Sequence, residues 1–117
     1  NFGFEGADGM KTMLGMMDAL RADAPKTLGG NEVAVVEDYK TGEALTVKTG
    51  EKSALNYPSS NVIILVLENK DKVIIRPSGT EPKIKIYAMV QGENEEKAKV
   101  QTEEYKKDIM KVLGIGE

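Results

Sequence analysis

The sequence predicts an α+β fold, a two-layer sandwich whose sheet has about four strands. Three observations carry this expectation. Apolar residues recur at helical spacing near both ends of the chain. The uninterrupted run Val62-Ile63-Ile64-Leu65-Val66-Leu67 reads as a central, buried strand. Around it, short β-rich segments are separated by tight turns, so helix, strands, a hairpin-rich sheet and helix follow in order.

Residues 1–9 are glycine-rich and hold both phenylalanines, Phe2 and Phe4; they read as an extended interdomain linker, able to anchor one aromatic ring, with the domain proper at 10–117. From Asp8 to Ala22, Met10, Met13, Leu14, Met17 and Leu20 predict a helix capped by Asp8, with Pro25 ending the pattern. A methionine stripe can serve as an adaptable binding surface, but a core-facing stripe is the simpler reading. Gly29-Gly30-Asn31 predicts a turn and Glu32 to Tyr39 a strand carrying Val33, Val35 and Val36. A second turn at Lys40 to Glu43 leads to a short, weak strand over Ala44 to Gly50, and Glu51 to Ser60 reads mostly as loop.

After the central strand, Asn69-Lys70-Asp71 predicts a hairpin turn into a strand over Lys72 to Arg76. Further on, Ile84, Ile86, Ala88 and Val90 share one face, while Lys83, Lys85, Tyr87 and Met89 share the other. A last helix is expected from its cap Asn94 to Leu113, with Ala98, Thr102, Tyr105, Ile109 and Val112 inward and Gly114 ending it. Its Glu and Lys residues read as a solvated outer face with some i,i+4 pairing.

With 117 residues the chain is one domain. Its 16 basic and 19 acidic residues create no global field for nucleic acid. No apolar run has membrane-spanning length and no signal-like N-terminus is visible, so neither a membrane nor nucleic acid is an expected partner. The start at Asn1 fits a fragment of a longer protein, and the absence of cysteine suits a reducing cytoplasm. The absence of histidine is the sharper constraint. It removes the usual general base near neutral pH and the commonest metal ligand, which excludes a nucleophile-plus-histidine hydrolase and disfavours a zinc site. No paired carboxylates in an apolar setting take their place, so no catalytic residue is assigned.

The chemistry concentrates in Arg76-Pro77-Ser78-Gly79-Thr80-Glu81-Pro82-Lys83-Ile84-Lys85. Arg76 offers a planar fork for a phosphate, Ser78 and Thr80 add hydroxyl donors, and Gly79 lets backbone N–H groups approach an anion. Pro77 and Pro82 fix φ at either end and lower the entropy lost on closing around a ligand. An ordinary turn would need Ser-Gly-Thr but not an arginine before it and Lys83 and Lys85 after it. The candidate phosphate-binding residues are therefore Arg76, Ser78, Gly79, Thr80 and Lys85. Solvation is the simpler job for Lys83. Glu81 is expected to point away or to hold Arg76 or a lysine.

This segment, extended through Ile86-Tyr87, resembles the phosphate-binding loop of the α-D-phosphohexomutases, the phosphoglucomutase/phosphomannomutase family. Asn56-Tyr57-Pro58-Ser59-Ser60-Asn61-Val62 resembles that family's approach to the preceding strand, and Glu37-Asp38-Tyr39-Lys40-Thr41-Gly42-Glu43 its earlier strand and turn. The resemblance covers most of residues 30 to 115. It implies a TATA-binding-protein-like fold, an antiparallel sheet with helices on one face. It also implies the last domain of a four-domain mutase, where the loop holds the phosphate of a glucose or mannose phosphate.

The family's phosphoryl-carrying serine segment, its aspartate-rich magnesium loop and its sugar-selecting Gly-Glu-X-Ser loop have no counterpart in this sequence. Phe4-Glu5-Gly6-Ala7-Asp8-Gly9 resembles the last of these but lacks the serine. The resemblance thus implies an isolated C-terminal domain, not catalytic alone, with the other domains of its parent as partners. Magnesium is implied for the parent and no cofactor for this domain. The alternatives are a stand-alone module binding a phosphorylated ligand or nucleic acid, and a purely structural interaction domain.

Overall fold

The computed structural model describes residues 2–3, 9–22, 24–56, 58–77, 83–91 and 94–113. In chain order the elements are β1 (Phe2–Gly3), α1 (Gly9–Ala22), β2 (Thr27–Leu28), β3 (Asn31–Asp38), β4 (Glu43–Thr46), β5 (Lys52–Ala54), β6 (Ile63–Leu67), β7 (Lys72–Pro77), β8 (Lys83–Met89) and α2 (Glu95–Leu113). Among the described residues the sheet runs β1-β8-β7-β6-β3-β4-β5, with β2 paired to β3 off this path. Every pairing is antiparallel. The α+β, two-layer expectation holds; the sheet is wider than about four strands.

The extra strands are those whose sequences carry little pattern. β5 is exposed at all three positions and joins through backbone pairing of Lys52, Ser53 and Ala54 with β4. It lies within the segment read mostly as loop. β4 stops at Thr46 rather than running to Gly50, because the chain turns there: Gly50 N–H donates to Thr46 O at 2.8 Å, with φ of +75° at Gly50. β1 pairs with Ile84 and Lys83, so Phe2–Gly3, part of the segment read as a linker, extends the sheet. The expected caps Asp8 and Gly114 lie outside the described residues.

One face of the sheet is covered. Ile63, Leu65, Leu67, Val73, Ile75 and Ile84 are at most 1% exposed and pack with Met13, Met17 and Leu20 of α1 and Tyr105, Ile109 and Leu113 of α2. Ala88 and Val90 pack against this core from the same side. In β3 a bulge between Val33 and Val35 inserts one residue, which puts Val33 and Val36 on the core face together. The helical stripes are narrower than expected: Met10, Leu14 and Val112 lie at the surface, and Leu113 is buried in place of Val112. Asn94 caps α2, accepting from Lys97 N–H at 2.9 Å.

The uncovered face follows from the period-two alternation of β6, β7 and β8. Arg76 pairs with Lys85 and Ile74 with Tyr87, all opposite in parity to the buried Val73, Ile75, Ile84 and Ile86. Among the described residues no helix is long and apolar enough to cross a membrane.

Candidate functional site

The chain has two arginines, and their surroundings differ in kind. Arg21, on the last turn of α1, is consumed by acceptors. Its Nε donates to Asp38 Oδ1 at 2.9 Å, one terminal nitrogen to Asp18 Oδ1 at 2.9 Å and the other to Asn61 Oδ1 at 2.6 Å. Both the Arg21 and Asp38 side chains are largely buried, at 13% and 12% exposure. Asp38 also accepts from Lys40 N–H at 3.0 Å. This group ties α1 to the β3–β4 turn and leaves Arg21 little capacity for an added anion.

Arg76 is placed otherwise. It is exposed near the end of β7, and no carboxylate among the described residues pairs with it. Lys85 lies directly across the ladder on β8, which brings two cations together on the uncovered face. The guanidinium carbon of Arg76 lies over the Tyr87 ring, 5.6 Å from its centroid. Such a separation is within cation–π range, and a contact of this kind spares most of the five N–H donors of the fork.

The ionisation of Tyr87 reflects these neighbours. The Arg76 guanidinium, as donor beside the phenol, lowers its pKa below the ordinary value; burial opposes this, and the charge of Lys85 adds to the lowering. The half-exposed phenol thus lies beside two cations, and its lowering comes first from the hydrogen bond and then from their charges.

The structure thus brings together Arg76 and Lys85 of the sequence-predicted set, at the two ends of the segment 77–84. Ser78, Gly79 and Thr80 lie outside the described residues, as does Glu81. Tyr87 is the residue that sequence reasoning did not select. The signal was available, since Tyr87 shares a face with Lys85 by alternation, but the cross-strand register that sets it diagonally beside Arg76 was not.

The buried carboxylates are used structurally. Asp71 accepts from the Tyr105 hydroxyl, from Asn69 Nδ2 and from Gln91 N–H. No group of three or more metal-ligating side chains occurs among the described residues, so the magnesium implied for the parent finds no fitting ligand set there.

Comparison with known proteins agrees with the loop's resemblance. The profile of the phosphoglucomutase/phosphomannomutase C-terminal domain matches residues 18–107. A phosphoglucomutase of Staphylococcus saprophyticus is 38% identical over 91 residues, 78% of this chain and 16% of that protein. One from Staphylococcus aureus is 39% identical over 90 residues, covering 77% and 16%, and one from Staphylococcus haemolyticus is 36% identical over 91 residues. The chain therefore spans about one sixth of the length of these curated relatives. No solved structure matches it.

Proposed function

The chain belongs to the phosphoglucomutase/phosphomannomutase family, as its C-terminal domain, and on that premise we propose that it is the clamp for the substrate's phosphate in a hexose-phosphate mutase. The observation that carries this reading is Arg76: an exposed guanidinium with no carboxylate partner among the described residues, facing Lys85 and stacked on Tyr87. Arg76 supplies a bidentate contact and Lys85 a point charge. Ser78 and Thr80 donate through hydroxyls and Gly79 through its backbone N–H.

In the parent enzyme the clamp holds one end of a glucose or mannose phosphate while a phosphoserine elsewhere in the chain exchanges its phosphoryl group with the other end. The bisphosphate intermediate must then turn over. A grip directed at the charged group accepts both orientations because it does not read the ring. Closure of the other domains over the sugar excludes water and limits hydrolysis. This domain's share is positioning and electrostatics, and bond-making belongs to the rest of a protein working in the cytoplasm.

Alone, the clamp binds weakly. A few charge-assisted hydrogen bonds of roughly 1.5–3 kcal/mol each offset an association cost of at least about 4 kcal/mol, which leaves a Kd on the order of 1 mM for inorganic phosphate. An amide chemical-shift titration with phosphate tests this. Perturbations should concentrate in residues 76–85 and vanish in Arg76→Ala; shifts confined to other regions would refute the assignment. In the full-length enzyme Arg76→Ala should lower kcat/KM at least tenfold, about 1.4 kcal/mol.

A further inference from the structure

We propose that Tyr87 is a positioning residue for Arg76, holding the guanidinium flat on the open sheet face with its donor edge free for the phosphate. The inference rests on the clamp reading above and adds a residue to it.

An exposed arginine needs something to restrict its long side chain if it is to meet an anion in one geometry. A carboxylate would do so but would occupy the fork and place a negative charge beside the incoming phosphate. A tyrosine restricts the same side chain through its electron-rich face and takes at most one N–H onto its phenol oxygen, which leaves the other donors of the fork for an anion. The register supplies that ring: Tyr87 pairs with Ile74 and Lys85 with Arg76, so Tyr87 is the diagonal neighbour of Arg76 on the uncovered face. The 5.6 Å approach of the guanidinium carbon to the ring centroid is the outcome. At 43% exposure, Tyr87 contributes little to the core, so packing alone gives no reason for an aromatic here. The phenol pKa is lowered first by a hydrogen bond from the Arg76 side chain and further by the charges of Lys85 and Arg76, so both cations lie beside Tyr87.

The test is a phosphate titration of the 117-residue chain, following the Arg76 Nε–Hε and the Tyr87 ring resonances, with thermal melts to check folding. Tyr87→Phe keeps the ring and should bind within about twofold of wild type. Tyr87→Leu should weaken binding about threefold to fivefold, the range of an exposed cation–π contact. Tyr87→Val, which suits a strand, serves if the leucine variant melts early. Arg76→Ala should abolish binding, and adding Tyr87→Leu to it should change nothing further. Saturating phosphate should raise the Tyr87 phenol pKa in wild type, as the anion cancels the neighbouring charge.

If Tyr87→Leu and Tyr87→Val bind like wild type while Arg76→Ala does not, the positioning role is wrong and the clamp stands. A phenylalanine variant as weak as the leucine variant would mean that the hydroxyl, not the ring, matters, which also overturns the inference. Wild-type binding by Arg76→Ala would remove the clamp itself.

Discussion

The Tyr105 hydroxyl donates to Asp71 Oδ2 at 2.6 Å, joining α2 to the β6–β7 turn across 34 residues of sequence. Both groups are buried, at 0% and 2% exposure. Around this bond, Asn31 Nδ2 donates to the Tyr105 oxygen, Asn69 Nδ2 to Asp71, and Gln91 N–H to the other Asp71 oxygen. The node fixes the end of β7–β8 remote from Arg76, and it leaves no buried polar side-chain atom unpaired among the described residues.

Tyr105→Phe is expected to destabilise the fold by about 1–3 kcal/mol, because Asp71 loses one donor and Asn31 an acceptor. Urea unfolding measures this. The same variant should alter the alkaline limb of stability. Burial, followed by the bond to Asp71, raises the Tyr105 pKa above its ordinary value, so the fold favours the neutral phenol. The unfolded chain releases that proton near pH 10, and stability due to Tyr105 is therefore full below that pH and lost as pH rises toward the folded pKa. Tyr105→Phe should lack this component of the decline.

Gly29 meets the same tyrosine from the other side. Its φ is +56°, and a Cβ there would approach Tyr105 Cδ1 to 2.6 Å and Gln101 Nε2 to 2.7 Å. Its N–H donates to Asp108 Oδ2 and its carbonyl accepts from Gln101 Nε2, so the backbone has little room to shift. Gly29→Ala should cost about 1–2 kcal/mol in backbone strain plus about 1–3 kcal/mol in overpacking. Gly30→Ala, with φ of +84° but open space around it, should incur only the first cost. Denaturant midpoints of the two variants distinguish them.

The legibility of the sequence followed the strength of side-chain pattern. β6 announces itself by its unbroken apolar run, and the two helices by apolar residues that recur with period 3.6. β5 has no apolar alternation and enters the sheet by backbone bonds alone, so nothing in Lys52-Ser53-Ala54 betrays it. The bulge in β3 lets Val33 and Val36 share a face, which strict alternation forbids. At the candidate site, residue type was enough to select Arg76 and Lys85 as candidates. Tyr87 needed the register, because alternation puts it on the face of Lys85 but only the β7–β8 pairing sets it beside Arg76.

Helix α2 offers a local test. Asn94 Oδ1 accepts from Lys97 N–H, and Glu95 and Glu96 place negative charge in the first turn. Asn94→Ala should lower stability by about 1 kcal/mol, read from the urea midpoint, and Asn94→Gly by only a few tenths. Since α2 contributes Tyr105, Ile109 and Leu113 to the core, the loss should appear in the global unfolding transition.

The two arginines should separate stability from binding. Removing Arg21 strips Asp38 of its charged partner and leaves Lys40 N–H as the donor to its side chain among the described residues, within a largely buried pair. Arg21→Ala should therefore cost about 1.5–3 kcal/mol of stability, while phosphate affinity, measured well below the melting temperature, stays unchanged. Arg76 is exposed and contacts mainly a ring face, so its truncation should alter stability by no more than about 0.5–1 kcal/mol. Its effect on phosphate affinity should be complete. Melting curves and phosphate titrations on both variants give four numbers that should cross in this way, because one guanidinium is spent on the protein's own acceptors and the other has no carboxylate partner among the described residues. A stability loss from Arg76→Ala as large as that from Arg21→Ala would show that Arg76 is structural as well.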